Sequence, residues 1–165
     1  MHLTIRPAVA ADFDLLCVLY HAFHDYHADR LSAYLRTLEP FEDRDCKALY
    51  GSLEQIVANE DSVILVAQIE DFLVGMAEVY VRHIAPLTEA VVPHCFGYLQ
   101  TLMVVEGRRR CGIGSALLLA AQDWAKARGA REMQLEMWEM VDGPLGFYEH
   151  LGYLTLKRTL TATLI

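Results

Sequence analysis

Apolar residues recur along this chain with two periods, and each change of period marks the edge of an element. In "HLTIRPA" they alternate, which predicts a first strand with Leu3 and Ile5 on one face. After Ala11-Asp12, the positions Phe13, Leu16, Cys17, Tyr20 and Phe23 follow the i, i+3, i+4, i+7 stripe of a helix. The stretch "HDYHADRLSAYLRTLEPFED" is less regular and reads as a helix end, a loop and a short helical turn. Cys46, Leu49, Tyr50, Leu53, Ile56 and Val57 form a second helical stripe. "SVILVAQI" and "FLVGMAEVYV", separated by Glu70-Asp71, predict a hairpin, and Gly75 inside it marks a bulge or a close backbone approach.

Two prolines between Ala85 and Pro93 predict a loop, followed by the long apolar strand "CFGYLQTLMVV". A helix is expected from Gly112 to Arg128, striped by Ile113, Leu117, Ala120 and Trp124 and stopped by Gly129. "REMQLEMW", with Trp138 at its end, alternates as a strand. Gly143 to His150 is a short helix ended by Gly152, and "YLTLKRTLTATLI" supplies one or two final strands. The order is β-α-α-β-β-β-α-β-α-β-β. It predicts an α/β (α+β) domain with a mixed, mostly antiparallel central sheet of about six to seven strands, flanked by about four helices, with one parallel crossover. No repeat, low-complexity tract or linker interrupts it, so residues 1–165 read as a single domain.

Composition narrows the function classes. At 54% hydrophobic and 22% charged the chain is globular rather than disordered. A net charge of -8 argues against nucleic-acid binding, which needs a basic face. The longest uncharged run, Ala90 to Val105, contains Pro93, His94 and Gln100 and is too short to span a bilayer. No signal-peptide core opens the chain, which predicts a cytoplasmic protein. Cys17, Cys46, Cys95 and Cys111 form no CxxC pair and no zinc spacing, so four reduced thiols are expected.

Against this acidic background, "VVEGRRRCGIGSALLLAA" places Arg108, Arg109 and Arg110 before Gly112 and Gly114 at the start of a helix. Unpaired N–H groups and the positive end of the helix dipole make such a turn a seat for phosphate. Glycines let backbone approach a bulky pyrophosphate, and arginine grips phosphate bidentately. A Walker loop is excluded because the Lys-Ser/Thr pair is missing. A dinucleotide fingerprint is weak, because its third glycine would fall at Leu117, although Glu132 and Glu136 lie near the ribose-binding distance.

Arg109-x-x-Gly112-x-Gly114 resembles the Q/R-x-x-G-x-G/A signature of the GCN5-related N-acetyltransferases, the GNAT superfamily. "LMVVEGRR" resembles the strand-and-loop lead of that signature, and "MWEMVDGPLGFYEHLGY" resembles the family's N-x-x-A-x-x-F-Y-E-x-x-G-F helix. The family's Asn falls at Val141 and its Ala at Pro144, a residue suited to a helix's first turn. The resemblance spans essentially the whole chain and implies a GNAT-like fold.

The resemblance implies acetyl-CoA as co-substrate and direct attack by a primary amine. Arg109, Arg110, Cys111, Gly112, Ile113, Gly114 and Ser115 would cradle the pyrophosphate. Leu102, Met103 and Val104 would run beside the pantetheine arm. Tyr148 corresponds to the family tyrosine that serves the departing thiolate. An ammonium must lose a proton before attack; Glu78 is the preferred base among Glu78, His94, Tyr98, Glu136 and Glu139, with a water held by Gln100 as the alternative. Tyr26, His27, Asp29 and Tyr34 fall where the family lines its acceptor cleft, and acid with aromatics suits a cationic amine. The acceptor is a small-molecule or peptide amine, its identity left open. His21, His24 and His27 could share a helix face, yet no further ligand pattern supports a metal. Cys111 could be a redox-sensitive thiol in the turn, or simply a tolerated small residue. A homodimer through the apolar terminal strand is a further expectation. A non-catalytic acyl-CoA sensor and a dinucleotide oxidoreductase are the rival readings.

Overall fold

The strand Ser62–Ile69 (β2) is buried along nearly its whole length, and its alternate residues serve two different cores. Val63, Leu65 and Ala67 pack on one side while Ile64 and Val66 pack on the other. A strand covered on both faces has no polar face to show, which is why Val63 to Ala67 form an unbroken apolar run. In the computed structural model, which describes residues 2–30, 46–84 and 93–162, this strand sits second in a five-stranded sheet of order β1-β2-β3-β4-β5.

The other strands are β1 (Leu3–Pro7), β3 (Phe72–Ile84), β4 (His94–Val104) and β5 (Met133–Leu135). β1 to β4 pair antiparallel in sequence order, and β5 joins β4 in parallel. Helices α1 (Phe13–Ala28) and α2 (Cys46–Ala58) cover one face through Phe13, Leu16, Leu19 and Leu53. Helix α3 (Ile113–Lys126), which makes the β4-to-β5 crossover, covers the other face with α4 (Leu145–His150). Gly75 faces α3: an added Cβ would lie 2.7 Å from the Met103 carbonyl oxygen and 3.1 Å from Leu117. Beside it the register slips between Ala67 and Gln68, so both sequence expectations for Gly75 hold. Gly129 and Gly152 adopt φ of 89° and 86° just beyond α3 and α4, the left-handed conformation that stops a helix.

Asp12 ties the entry of α1 to β1. Its buried carboxylate accepts from Arg6 Nη1 at 2.7 Å and Nη2 at 2.8 Å, and from the Val9 amide at 2.8 Å. The Arg6 hydrogen bonds hold its pKa below the ordinary 3.8. A depressed carboxyl pKa gives stability that is fully present above the ordinary value and is lost as pH falls through the folded one. Thermal melts from about pH 5 to about pH 2 should therefore fall less steeply for Asp12→Asn than for the parent. Parallel slopes would remove Asp12 from the acid response.

Three expectations need correction: the strand count, the final strands after α4, and the four reduced thiols. The sheet holds five strands among the described residues, because "REMQLEMW" contributes only Met133–Leu135 and residues 153–162 form no strand. Trp138, Leu154, Leu156 and Leu160 are consequently exposed, and Lys157 forms an ion pair with Glu136, just beyond β5, at 2.9 Å. Alternation marks a segment able to pair; it does not supply the neighbour. Third, Cys17 and Cys46 form a disulfide, while Cys95 and Cys111 are free. Their separation of 29 in sequence conceals that α1 and α2 bring their Cα atoms to 5.9 Å. The expected loop over residues 85–92 lies outside the described residues.

Candidate active site

The turn before α3 begins with a short helical bend at Glu106–Arg108 and enters the helix through Gly112, whose φ is 80°. Arg110 also has positive φ, 61°, a conformation disfavoured for a residue with a Cβ. The combination leaves every backbone amide from Arg110 to Ser115 without an acceptor among the described residues; the first bonded amide is that of Ala116, donating to the Gly112 carbonyl at 3.0 Å. Consecutive free donors at the positive end of a helix of this length, in a chain of net charge -8, fit an anion with several acceptor oxygens. An added Cβ on Gly112 meets nothing within 4 Å, whereas one on Gly114 would sit 3.5 Å from the Phe147 ring. Gly112 thus serves the turn's conformation, and Gly114 also makes room for α4.

The arginines divide their work. Arg109 Nε donates to the carbonyl of Val104, the last residue of β4, at 3.0 Å, and its guanidinium lies 4.9 Å from the centre of the Tyr26 ring. Arg30 stacks on the same Tyr26 at 3.9 Å. Arg109 therefore braces the turn against β4 and α1, and Tyr26 is held between turn and helix. Arg110 and Cys111 are exposed.

Beside the turn the sheet splits. β4 pairs with β5 only at Gly97, Tyr98 and Leu99, opposite Met133, Gln134 and Leu135, and then runs on alone to Val104. The register with β3 slips at the same level: Glu78 faces Thr101 and Val79 faces Leu99, which leaves Gln100 as the extra, exposed residue. Leu102, Met103 and Val104 have no β5 partner, and the Val104 carbonyl accepts from Arg109 of the turn. Leu102 and Val104 face α3, while Met103 belongs to the core under α1 and α2.

On the α1 side of the split lies a buried carboxylate. Glu78 accepts from the hydroxyls of Tyr20 at 2.7 Å, Tyr80 at 2.5 Å and Thr101 at 3.2 Å. It is 6% exposed and has no cationic partner among the described residues. Burial pushes both phenols well above their ordinary value, followed for Tyr20 by the charge of Glu78 and for Tyr80 by its hydrogen bond to Glu78. Tyr20 and Tyr80 are both half-buried; Tyr20 reaches Glu78 from α1, and Tyr80 reaches it from two residues along β3.

On the α3 side Tyr148 is 8% exposed, edge-on to Phe147 at 5.1 Å and to Tyr153 at 5.7 Å. Burial, with a smaller contribution from Tyr153, raises its pKa to about 12. Its hydroxyl has no hydrogen-bond partner among the described residues. A buried, unpartnered phenol costs stability in the free protein and signals a ligand.

Residues 20–153, which contain all of these groups, match the acetyltransferase (GNAT) family. The chain belongs to that family. It is 26% identical over 151 residues to YhfO of Bacillus subtilis (strain 168), described as an uncharacterised N-acetyltransferase, covering 92% of this chain and 89% of that one. The GNAT fold agrees with the F44R variant of the BH1408 protein of Bacillus halodurans (TM-score 0.86, 24% identity, 98% and 99% of the two chains). It agrees also with aminoglycoside N-acetyltransferase AAC(6')-Iy in complex with CoA (TM-score 0.75, 17% identity, 99% and 95% covered).

Within this GNAT domain the remaining candidates scatter. His94 is exposed and stacks on Phe96, Tyr98 lies under the Arg82 guanidinium at 3.5 Å, and Glu136 is paired to Lys157. His27 packs on Phe23 and bonds its carbonyl at 2.8 Å, Asp29 follows α1 as an exposed residue, and Tyr34 lies outside the described residues. Reasoning from sequence missed Tyr20, Tyr80 and Thr101. Tyr80 was within reach, two residues from Glu78 on the same strand face; Tyr20 and Thr101 come from other elements and carry no linear signal. No helix among the described residues is long and apolar enough to cross a membrane.

Proposed function

We propose that this GNAT domain transfers acetyl from acetyl-CoA to a cationic primary amine by direct attack. The run of unpartnered amides from Arg110 to Ser115 carries this reading, because it is the donor array a pyrophosphate needs. When bound, acetyl-CoA supplies a thioester whose acetyl carbon the amine attacks. The Arg110–Ser115 amides would hold the diphosphate, and the β4 edge at Leu102, Met103 and Val104 would pair with the pantetheine amides, with Glu78 and Tyr148 as the groups able to serve the reacting end. An N–H of that edge polarises the thioester carbonyl.

The two sides of the split divide the proton chemistry. On one side, the oxygen of Tyr80 accepts from the incoming ammonium while its own O–H donates to Glu78, so a proton can pass inward along an existing hydrogen bond. The buried negative charge selects a cationic acceptor, and the rate follows from holding amine and thioester together. On the other side, Tyr148 keeps its proton, since its pKa is about 12. Complete transfer to a thiolate whose thiol has a pKa of about 8.5 would be uphill by about 5 kcal/mol, so Tyr148 acts by donating a hydrogen bond.

Calorimetric titration with acetyl-CoA, CoA and NADH tests the cofactor. Micromolar binding of both CoA forms and none of NADH is expected. Gly112→Ala should weaken it about tenfold or more, because the positive φ costs an alanine about 1–2 kcal/mol and drives the turn out of the conformation that aligns its amides. A folded protein that binds neither CoA form would overturn the proposal. Binding without thiol release across a broad amine panel would favour an acyl-CoA sensor.

A further inference from the structure

Cys17 and His21 lie one turn apart on α1, with Sγ and Nδ1 separated by 3.8 Å. Cys46, the first residue of α2, completes a set whose ligand atoms all lie within 4.8 Å of one another. A tetrahedral ion with sulfur at about 2.3 Å and imidazole nitrogen at about 2.0–2.1 Å spaces its ligand atoms about 3.5–3.8 Å apart. The Cys17–His21 edge already has this length, His21 and Cys46 lie within 4.8 Å, and the sulfur–sulfur edge is closed by the disulfide. Cys17 is fully buried while His21 and Cys46 are half-buried.

We propose that Cys17, His21 and Cys46 form a redox-gated site for a borderline-soft metal ion of the zinc class. In the oxidised protein the sulfurs are a disulfide and the site is shut. A thiol reductant opens it: two electrons and two protons break the S–S bond to give two thiols, and two reductant thiols become a disulfide. Zinc then displaces the two thiol protons and is held by two thiolates and the His21 imidazole, with a fourth position open to water. Two sulfurs and a nitrogen with no carboxylate in the set exclude calcium and magnesium, which require oxygen. The ion makes the same connection as the disulfide, holding the start of α2 to α1. Since α1 also carries Tyr20 to Glu78, the state of this site bears on the acceptor side of the sheet. The assignment does not rest on the acetyl-transfer reading.

The test is zinc titration of the full chain, reduced with a phosphine or left oxidised, against a chromophoric chelator. One zinc per reduced chain at submicromolar Kd is expected, with none bound by the oxidised chain. Zinc should shield Cys17 and Cys46 from alkylation while Cys111 stays reactive. His21→Gln retains both cysteines and the disulfide, and should bind zinc about 100-fold more weakly once reduced. If reduction alone unfolds the chain by circular dichroism, reduction in the presence of zinc decides: a retained helical signal supports the site, and a lost one overturns it. Absence of stoichiometric zinc on folded, reduced protein also overturns it, as does wild-type affinity in His21→Gln.

Discussion

Tyr148→Phe is expected to lower kcat about 10- to 150-fold, the rate equivalent of losing one hydrogen bond of about 1.5–3 kcal/mol to a charged group. Affinity for acetyl-CoA should stay within about twofold, because the hydroxyl meets developing charge on sulfur and not the resting thioester. The same substitution should leave the free protein as stable as the parent or raise its melting temperature. The Tyr148 hydroxyl is buried without a partner among the described residues, so removing it takes away a desolvation cost of about 1 kcal/mol or more. Opposite movements of turnover and stability in one variant are the signature of a side chain placed for a ligand. Unchanged kcat, or a clear loss of stability, would make Tyr148 a packing residue between Phe147 and Tyr153.

The second large effect is at Glu78, where two substitutions separate charge from structure. Glu78→Leu removes the acceptor of the Tyr20, Tyr80 and Thr101 hydroxyls, of which Thr101 is buried and the two tyrosines half-buried. At about 1–3 kcal/mol for each unpaired buried group, a loss of about 3 kcal/mol or more is expected. In a domain of this size that amounts to a fall in Tm of roughly 6–12 °C. Glu78→Gln keeps the shape and an accepting oxygen, and the tyrosine hydroxyls can turn to meet its amide. Its Tm should lie within a few degrees of the parent, while kcat/KM for a cationic amine falls about 100-fold or more and acetyl-CoA affinity is unchanged. Equal kinetic loss for a neutral acceptor would assign Glu78 to proton transfer alone; no kinetic loss in the Gln variant would make the network purely structural.

These sites were not equally legible in the chain. The phosphate turn is a local object: Gly112 stands where the backbone is left-handed, the helix begins just after it, and the free amides follow from their places in the first turn. Seven consecutive positions, Arg109 to Ser115, therefore contain most of their own geometry, and pattern reading finds them. Tyr148 is nearly as legible, because the FY helix and its glycine stop are contiguous. The bulged split of β4 is not, since nothing in "CFGYLQTLMVV" tells which of its residues lose a partner on one side and gain an offset one on the other.

The periodicity of apolar residues determined the helices, the hairpin and the crossover, because each depends on which face of a local element is shed from water, whereas the two-sided burial of β2 emerged only from the packing. Tertiary structure alone decided whatever joins distant segments. It placed Tyr20 and Thr101 on Glu78, stacked Arg109 over Tyr26, and brought Cys17 to Cys46. It also left residues 153–162 outside the sheet despite their alternating pattern. Hydrogen bonds, ring contacts and sulfur–sulfur bonds act over a few ångströms, and separation along the chain does not report separation in space. Packing of α1 on β3 and on α2 supplies that information.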